Sequence, residues 1–135
     1  MTFTKDTIAS IKSESSKNQW PFPKYFQTLK NAGVHAYDVD IVNLCVTYFG
    51  DNVTVVEDLK ESYPQLPTSL PIAPVYDENK IKTTLAKIQA RQVDYITFLK
   101  ELAQAGITDY RTDMDQRAVS YNGSGKCYVE EILQS

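Results

Sequence analysis

Apolar positions along the chain follow two alternating rhythms. In "PKYFQTLKNAG" they sit at Tyr25, Phe26, Leu29 and Ala32, the spacing of one helical face. Pro23 suits a first helical turn and Gly33 the left-handed position just past a helix end. "DYITFLKELAQAG" reads the same way, with Asp94 as N-cap, Gly106 as stop, and an apolar face of Tyr95, Phe98, Leu99, Leu102 and Ala103. After each glycine the period becomes two. "VHAYDVD" places His35, Tyr37 and Val39 on one predicted face, and Val34, Ala36 and Asp38 on the other. "LCVTYFG" and "VTVVE" follow, separated by a "GDN" turn. In the second stretch "ITDYRTD", "RAVSY" and "KCYVEEI" are separated by turns, the last of them "NGSG". Each stretch therefore predicts a three-stranded meander.

An earlier helix precedes each of these units. Residues 78 to 91 present Ile81, Leu85 and Ile88 behind an N-cap at Asp77. Residues 5 to 16 offer only Ile8 and Ile11, so this first helix is expected to dock more loosely.

The two stretches align without a gap at an offset of 73, Gly33 against Gly106. Leu29/Leu102, Ala32/Ala105, Tyr37/Tyr110, Asp40/Asp113, Val46/Val119, Tyr48/Tyr121 and Gly50/Gly123 are identical pairs. The expected architecture is α+β, an internal duplication of two α-α-β-β-β halves with an antiparallel sheet and helices packed on one face. A single domain over residues 1–135 is expected, with halves 1–57 and 77–135 joined by the segment 58–76. Pro64, Pro67, Pro71 and Pro74 exclude a long helix or central strand from that join. Its Tyr63, Leu66, Leu70, Ile72 and Val75 predict that it packs on the body.

A net charge of −3 and the absence of a basic run argue against nucleic acid as a partner. No apolar run reaches the roughly 20 residues of a membrane span, and no secretory signal is visible, so a cytoplasmic protein is expected. Two cysteines, Cys45 and Cys127, are too few for a disulfide scaffold and lie in strand-like runs, which predicts small buried hydrophobes.

The order "FPKYFQTLKNAGVHAYD…TYFG", then "ARQVDYITFLKELAQAGITDY", resembles the YdfO-like family of small bacterial proteins over nearly the whole chain. The resemblance implies a bacterial, soluble α+β domain without an assigned activity. Some members of that family are labelled phage envelope protein, and some sit in prophage regions. Some carry a His-Gln pair where this chain has Ile88-Gln89. No catalytic residue carries over.

Candidate chemistry is sparse. Asp40 and Asp113 occupy matching positions, where a pseudo-twofold axis would bring two carboxylates together for a cation or for acid–base work. Each also suits a tight turn, in which Asp bonds its own backbone, and that use explains the recurrence without a site. Tyr37, Tyr48, Tyr110 and Tyr121 suit either a cleft for a flat ligand or packing beneath helices. His35, the sole histidine, is a candidate base beside Asp38 or a tyrosine, though an ordinary strand histidine is the simpler reading. "WPFP" (Trp20 to Pro23) suits a staple at a helix start, or an exposed binding knob. The phosphate-loop, nucleophile-elbow and zinc-helix motifs are missing, and no cofactor or metal is expected. The expected function is a binding or interaction module with no assignable reaction, its partner an unknown protein, a small molecule or a second copy paired through an edge strand. The rival is a small-ligand binder or weak enzyme with a groove between the halves, lined by Tyr37, Tyr110, Asp40, Asp113 and His35.

Overall fold

The computed structural model describes residues 3–90 and 92–131. Arg91 and Ile132, the last residues of one predicted helix and one predicted strand, lie outside them. Helix starts follow local capping chemistry. Thr4 and Thr7 form a reciprocal capping box that begins α1 (Lys5–Asn18). Pro21 precedes α2 (Phe22–Asn31), with Pro23 in its first turn. Asp77 accepts from Lys80 N to begin α4 (Glu78–Gln89), and Asp94 accepts from Thr97 N to begin α5 (Tyr95–Gln104). The single-turn α3 (Leu59–Ser62) lies in the join. α2 and α5 run into Gly33 and Gly106, both at positive φ, as the sequence predicts.

Six strands form one antiparallel sheet. They are β1 (Val34–Asp40), β2 (Cys45–Gly50), β3 (Val53–Asp58), β4 (Asp109–Asp113), β5 (Ala118–Gly123) and β6 (Lys126–Glu131). Their spatial order is β3-β2-β1-β4-β5-β6, so two meanders meet at the β1–β4 ladder. Two helices precede each meander, so the element order α-α-β-β-β is found on both sides of that junction. Two backbone bonds close the ladder's ends: Ile41 N donates to Thr108 O and Met114 N donates to His35 O, at 2.9 and 2.8 Å. Matching residues occupy matching roles in them.

The matching glycines touch. A Cβ on Gly50 would sit 2.9 Å from the Gly33 carbonyl oxygen, and one on Gly123 would overlap the Gly106 carbonyl. Each helix–strand corner therefore closes only where β2 or β5 ends in glycine.

Alternation puts Tyr37, Val39, Val46, Tyr48, Tyr110, Thr112, Val119 and Tyr121 under the helices, all buried. The predicted faces of β1 need one correction. A bulge between Val34 and Ala36 resets the alternation, so Val34 joins the core and His35 turns outward. The first helix is also better docked than predicted, because Ile8 and the preceding Phe3 are fully buried. The join packs on the body through Leu59, Leu66 and Leu70, and Ala73 N and Asp77 N bond the carbonyls of Ala103 and Ala105. The cysteines depart from expectation. Both fall on the outer sheet face, Cys45 half-buried and Cys127 exposed, because their neighbours in register take the inner positions. Val56 and Val129, another matching pair, are exposed on that face.

Candidate functional site

Between the sheet and the four long helices lies a cavity of about 550 Å³. Seven tyrosines line it: Tyr25 from α2, Tyr95 from α5, Tyr63 from the join, and Tyr37, Tyr48, Tyr110 and Tyr121 from the central strands. Their positions follow from the two periodicities. The strand tyrosines occupy alternate inward positions, and Tyr25 and Tyr95 lie on the inward stripe of their helices. Rings pack in matching pairs, Tyr37 with Tyr48 at 5.6 Å and Tyr110 with Tyr121 at 5.4 Å between centroids. Tyr95 bridges outward to Tyr63 at 5.2 Å, and its hydroxyl meets that of Tyr110 at 2.6 Å. Trp20, Phe22 and Pro23 border the cavity, so the "WPFP" cluster forms part of its rim as well as starting α2.

Burial sets the electrostatics. It pushes the Tyr37 phenol up to about 12, with Thr112 opposing slightly, and raises Tyr25, Tyr48, Tyr95, Tyr110 and Tyr121. These phenols are therefore protonated at neutral pH and act as neutral donors and acceptors. The buried Thr112 hydroxyl also lines the cavity and completes no hydrogen bond of normal geometry.

Two carboxylates flank this aromatic set at matching positions on the edge strands. Glu57 on β3 is buried and holds Lys12 Nζ at 2.5 Å. Glu130 on β6 lines the cavity and accepts from Gln89 Nε2 at 2.9 Å. Burial raises the Glu130 carboxyl, and the Gln89 bond lowers it.

The five residues expected to share a groove do not converge. Tyr37 and Tyr110 line the cavity. Asp40 pairs with Asp109 at one end of the β1–β4 ladder, while Asp113 pairs with Ala36 at the other. An antiparallel register separates matching positions that lie away from its centre. Both aspartates serve their turns: Asp40 accepts from Asn43 N at 3.0 Å, and Asp113 from the backbones of Asp115 and Gln116 at 3.0 Å. Neither forms a facing pair. Asp40 borders a second depression, open to solvent on the outer sheet face, with Asp38, Asp109 and Arg111. His35 lies away from Asp38 and from the tyrosines. Its Nε2 meets Asp51 at 2.9 Å and its Nδ1 meets Asp115 at 3.5 Å, and these two contacts raise its pKa, Asp51 the more. Among the described residues no group of three or more His, Cys, Asp or Glu side chains is placed to hold a metal ion.

Sequence reasoning assigned Tyr25 and Tyr95 to helical core faces and gave Lys12, Gln89, Thr112 and Glu130 no role. The legible signal was tyrosine in place of leucine or phenylalanine on helix faces set opposite strand tyrosines.

A family model described as a protein of unknown function (DUF1398) matches residues 11–131. No curated protein matches the chain. Among the described residues no helix is long and apolar enough to cross a membrane.

Proposed function

We propose, for a chain that belongs to the DUF1398 family of proteins of unknown function, that the tyrosine-lined cavity binds a small, flat, mostly apolar molecule. One observation carries this reading: seven of the chain's nine tyrosines line a single cavity that is partly open to solvent. Phenylalanine or leucine would fill such positions as well by packing alone, and the lining keeps one buried hydroxyl, that of Thr112, without a normal partner, at a cost of about 1–3 kcal/mol. A site that receives a polar-edged aromatic molecule recovers that cost through hydrogen bonds. The volume lies within the range of small-molecule pockets.

The reading is binding rather than turnover. Burial keeps the phenols protonated, and among the described lining residues there is no histidine or cysteine to act as base or nucleophile. The one lining lysine, Lys12, is held by Glu57. With this function we propose the bacterial, prophage-linked setting that the YdfO-like resemblance implies.

The test is thermal unfolding with 1-naphthylmethanol and similar flat aromatic alcohols. At about a hundredfold excess over Kd the midpoint should rise by roughly 5–10 °C. Ile88→Trp, which extends a cavity-lining side chain, should abolish the rise. No rise in the native protein at millimolar concentration would remove the proposal.

A further inference from the structure

The two ends of the cavity differ in charge, and the difference is legible from the matching halves. Glu57 and Glu130 correspond at the offset of 73, and each stands inward beside a matching valine, Val46 and Val119. In the first half the carboxylate has a resident cation, Lys12 of α1. The position matching Lys12 on α4 is Leu85, which lines the cavity. The same carboxylate is therefore kept in the second half, while its cation is replaced by an apolar side chain. Among the described residues Glu130 has no lysine or arginine within ion-pair distance. Its one side-chain hydrogen bond among them comes from the neutral amide of Gln89.

We propose that the cavity's ligand is an organic cation, a flat aromatic molecule carrying an amine or other positive group that pairs with Glu130. This rests on the binding reading above. A partly buried carboxylate that has no lysine or arginine beside it among the described residues is costly, and a ligand cation supplies such a partner. Tyr121 adds to the same preference. It lines the cavity close enough to Glu130 for the carboxylate to raise its phenol, so an aromatic ring stands beside the proposed charge. Burial also lifts the Glu130 carboxyl, and the Gln89 bond offsets only part of that. Lys12 at the other end does not favour an anion, because Glu57 already neutralises it at 2.5 Å.

Three probes of nearly equal shape separate the possibilities: 1-naphthylmethylammonium, 1-naphthylmethanol and 1-naphthylacetate. Titration calorimetry at neutral pH on the full chain should show the cation binding at least about tenfold tighter than the alcohol, and the anion weakest. In Glu130→Gln, checked for an unchanged unfolding midpoint, the cation should fall to within about twofold of the alcohol measured on the same variant. If the alcohol binds and the cation binds no tighter, the cation inference is overturned and the binding reading stands. If the anion binds best, Lys12 is the anchor and the inference is equally lost. If none of the three binds, both proposals fall.

Discussion

His35 shows how one side chain takes its role from its surroundings. The bulge in β1 turns it outward, between the β2–β3 turn that carries Asp51 and the β4–β5 turn that carries Asp115. It thereby ties a turn of one half to a turn of the other. Both carboxylates favour the imidazolium, so the folded pKa lies above the ordinary value of 6.5. A raised folded pKa means that protonation favours the fold. The contribution is full below the unfolded value and fades as pH rises through the folded one. With a single histidine in the chain, a proton NMR titration reads this directly. The apparent pKa should exceed that of an unstructured histidine, and Asp51→Asn should lower it more than Asp115→Asn. A native value at or below 6.5 contradicts the bridged arrangement. The recurring aspartates teach the complementary lesson. Asp40 and Asp113 recur because each unit needs the same turn, and nothing in their geometry requires a shared ligand.

At the scale of elements, the β1–β4 ladder joins the halves. Its register pairs Asp38 with Arg111, and these two residues correspond at the offset of 73. That pair is the midpoint of the ladder, so the axis between the two meanders passes through it. Identical charges there would repel; the chain instead sets opposite charges across the axis, with Arg111 Nε 3.5 Å from Asp38 Oδ1. Burial raises the Asp38 carboxyl while Arg111 draws it down. Arg111→Asp should cost about 1 kcal/mol, modest because both side chains are part-exposed. Exchanging the pair, Asp38→Arg with Arg111→Asp, should recover most of that loss in urea unfolding. Equal losses in the single and exchanged variants contradict a direct pairing. Most of the elements were legible in the sequence, because caps, glycine stops and turn pairs are local chemistry. Asp94, Asp77, Gly33 and Gly106 all act where the pattern placed them. The bulge at His35 was not legible, since a one-residue insertion leaves the composition of the strand unchanged. The outward cysteines were missed for a related reason: apolar neighbours in sequence point to opposite faces of a strand.

The whole molecule is one sheet carrying four long helices on one face, with the join packed through Leu66 and Leu70. The strand tyrosines of the candidate site could be read in advance, because their recurrence and alternation set them on one face. The cavity itself could not. It depends on how far α1 and α2 stand from α4 and α5 above the sheet, a distance that no local pattern encodes. The Glu130 end was also hidden, since its contrast with Glu57 emerges only once Lys12 is seen in contact. The central claim is that this cavity, rather than the outer sheet face, receives the ligand. Its most direct test is the aromatic NMR spectrum of tyrosine-labelled protein titrated with 1-naphthylmethylammonium. Saturable shifts at Tyr37, Tyr48, Tyr110 and Tyr121, with Tyr76, a residue of the join that does not line the cavity, unmoved, are the predicted result. Silence at those four rings when the probe saturates a site elsewhere on the protein would contradict it.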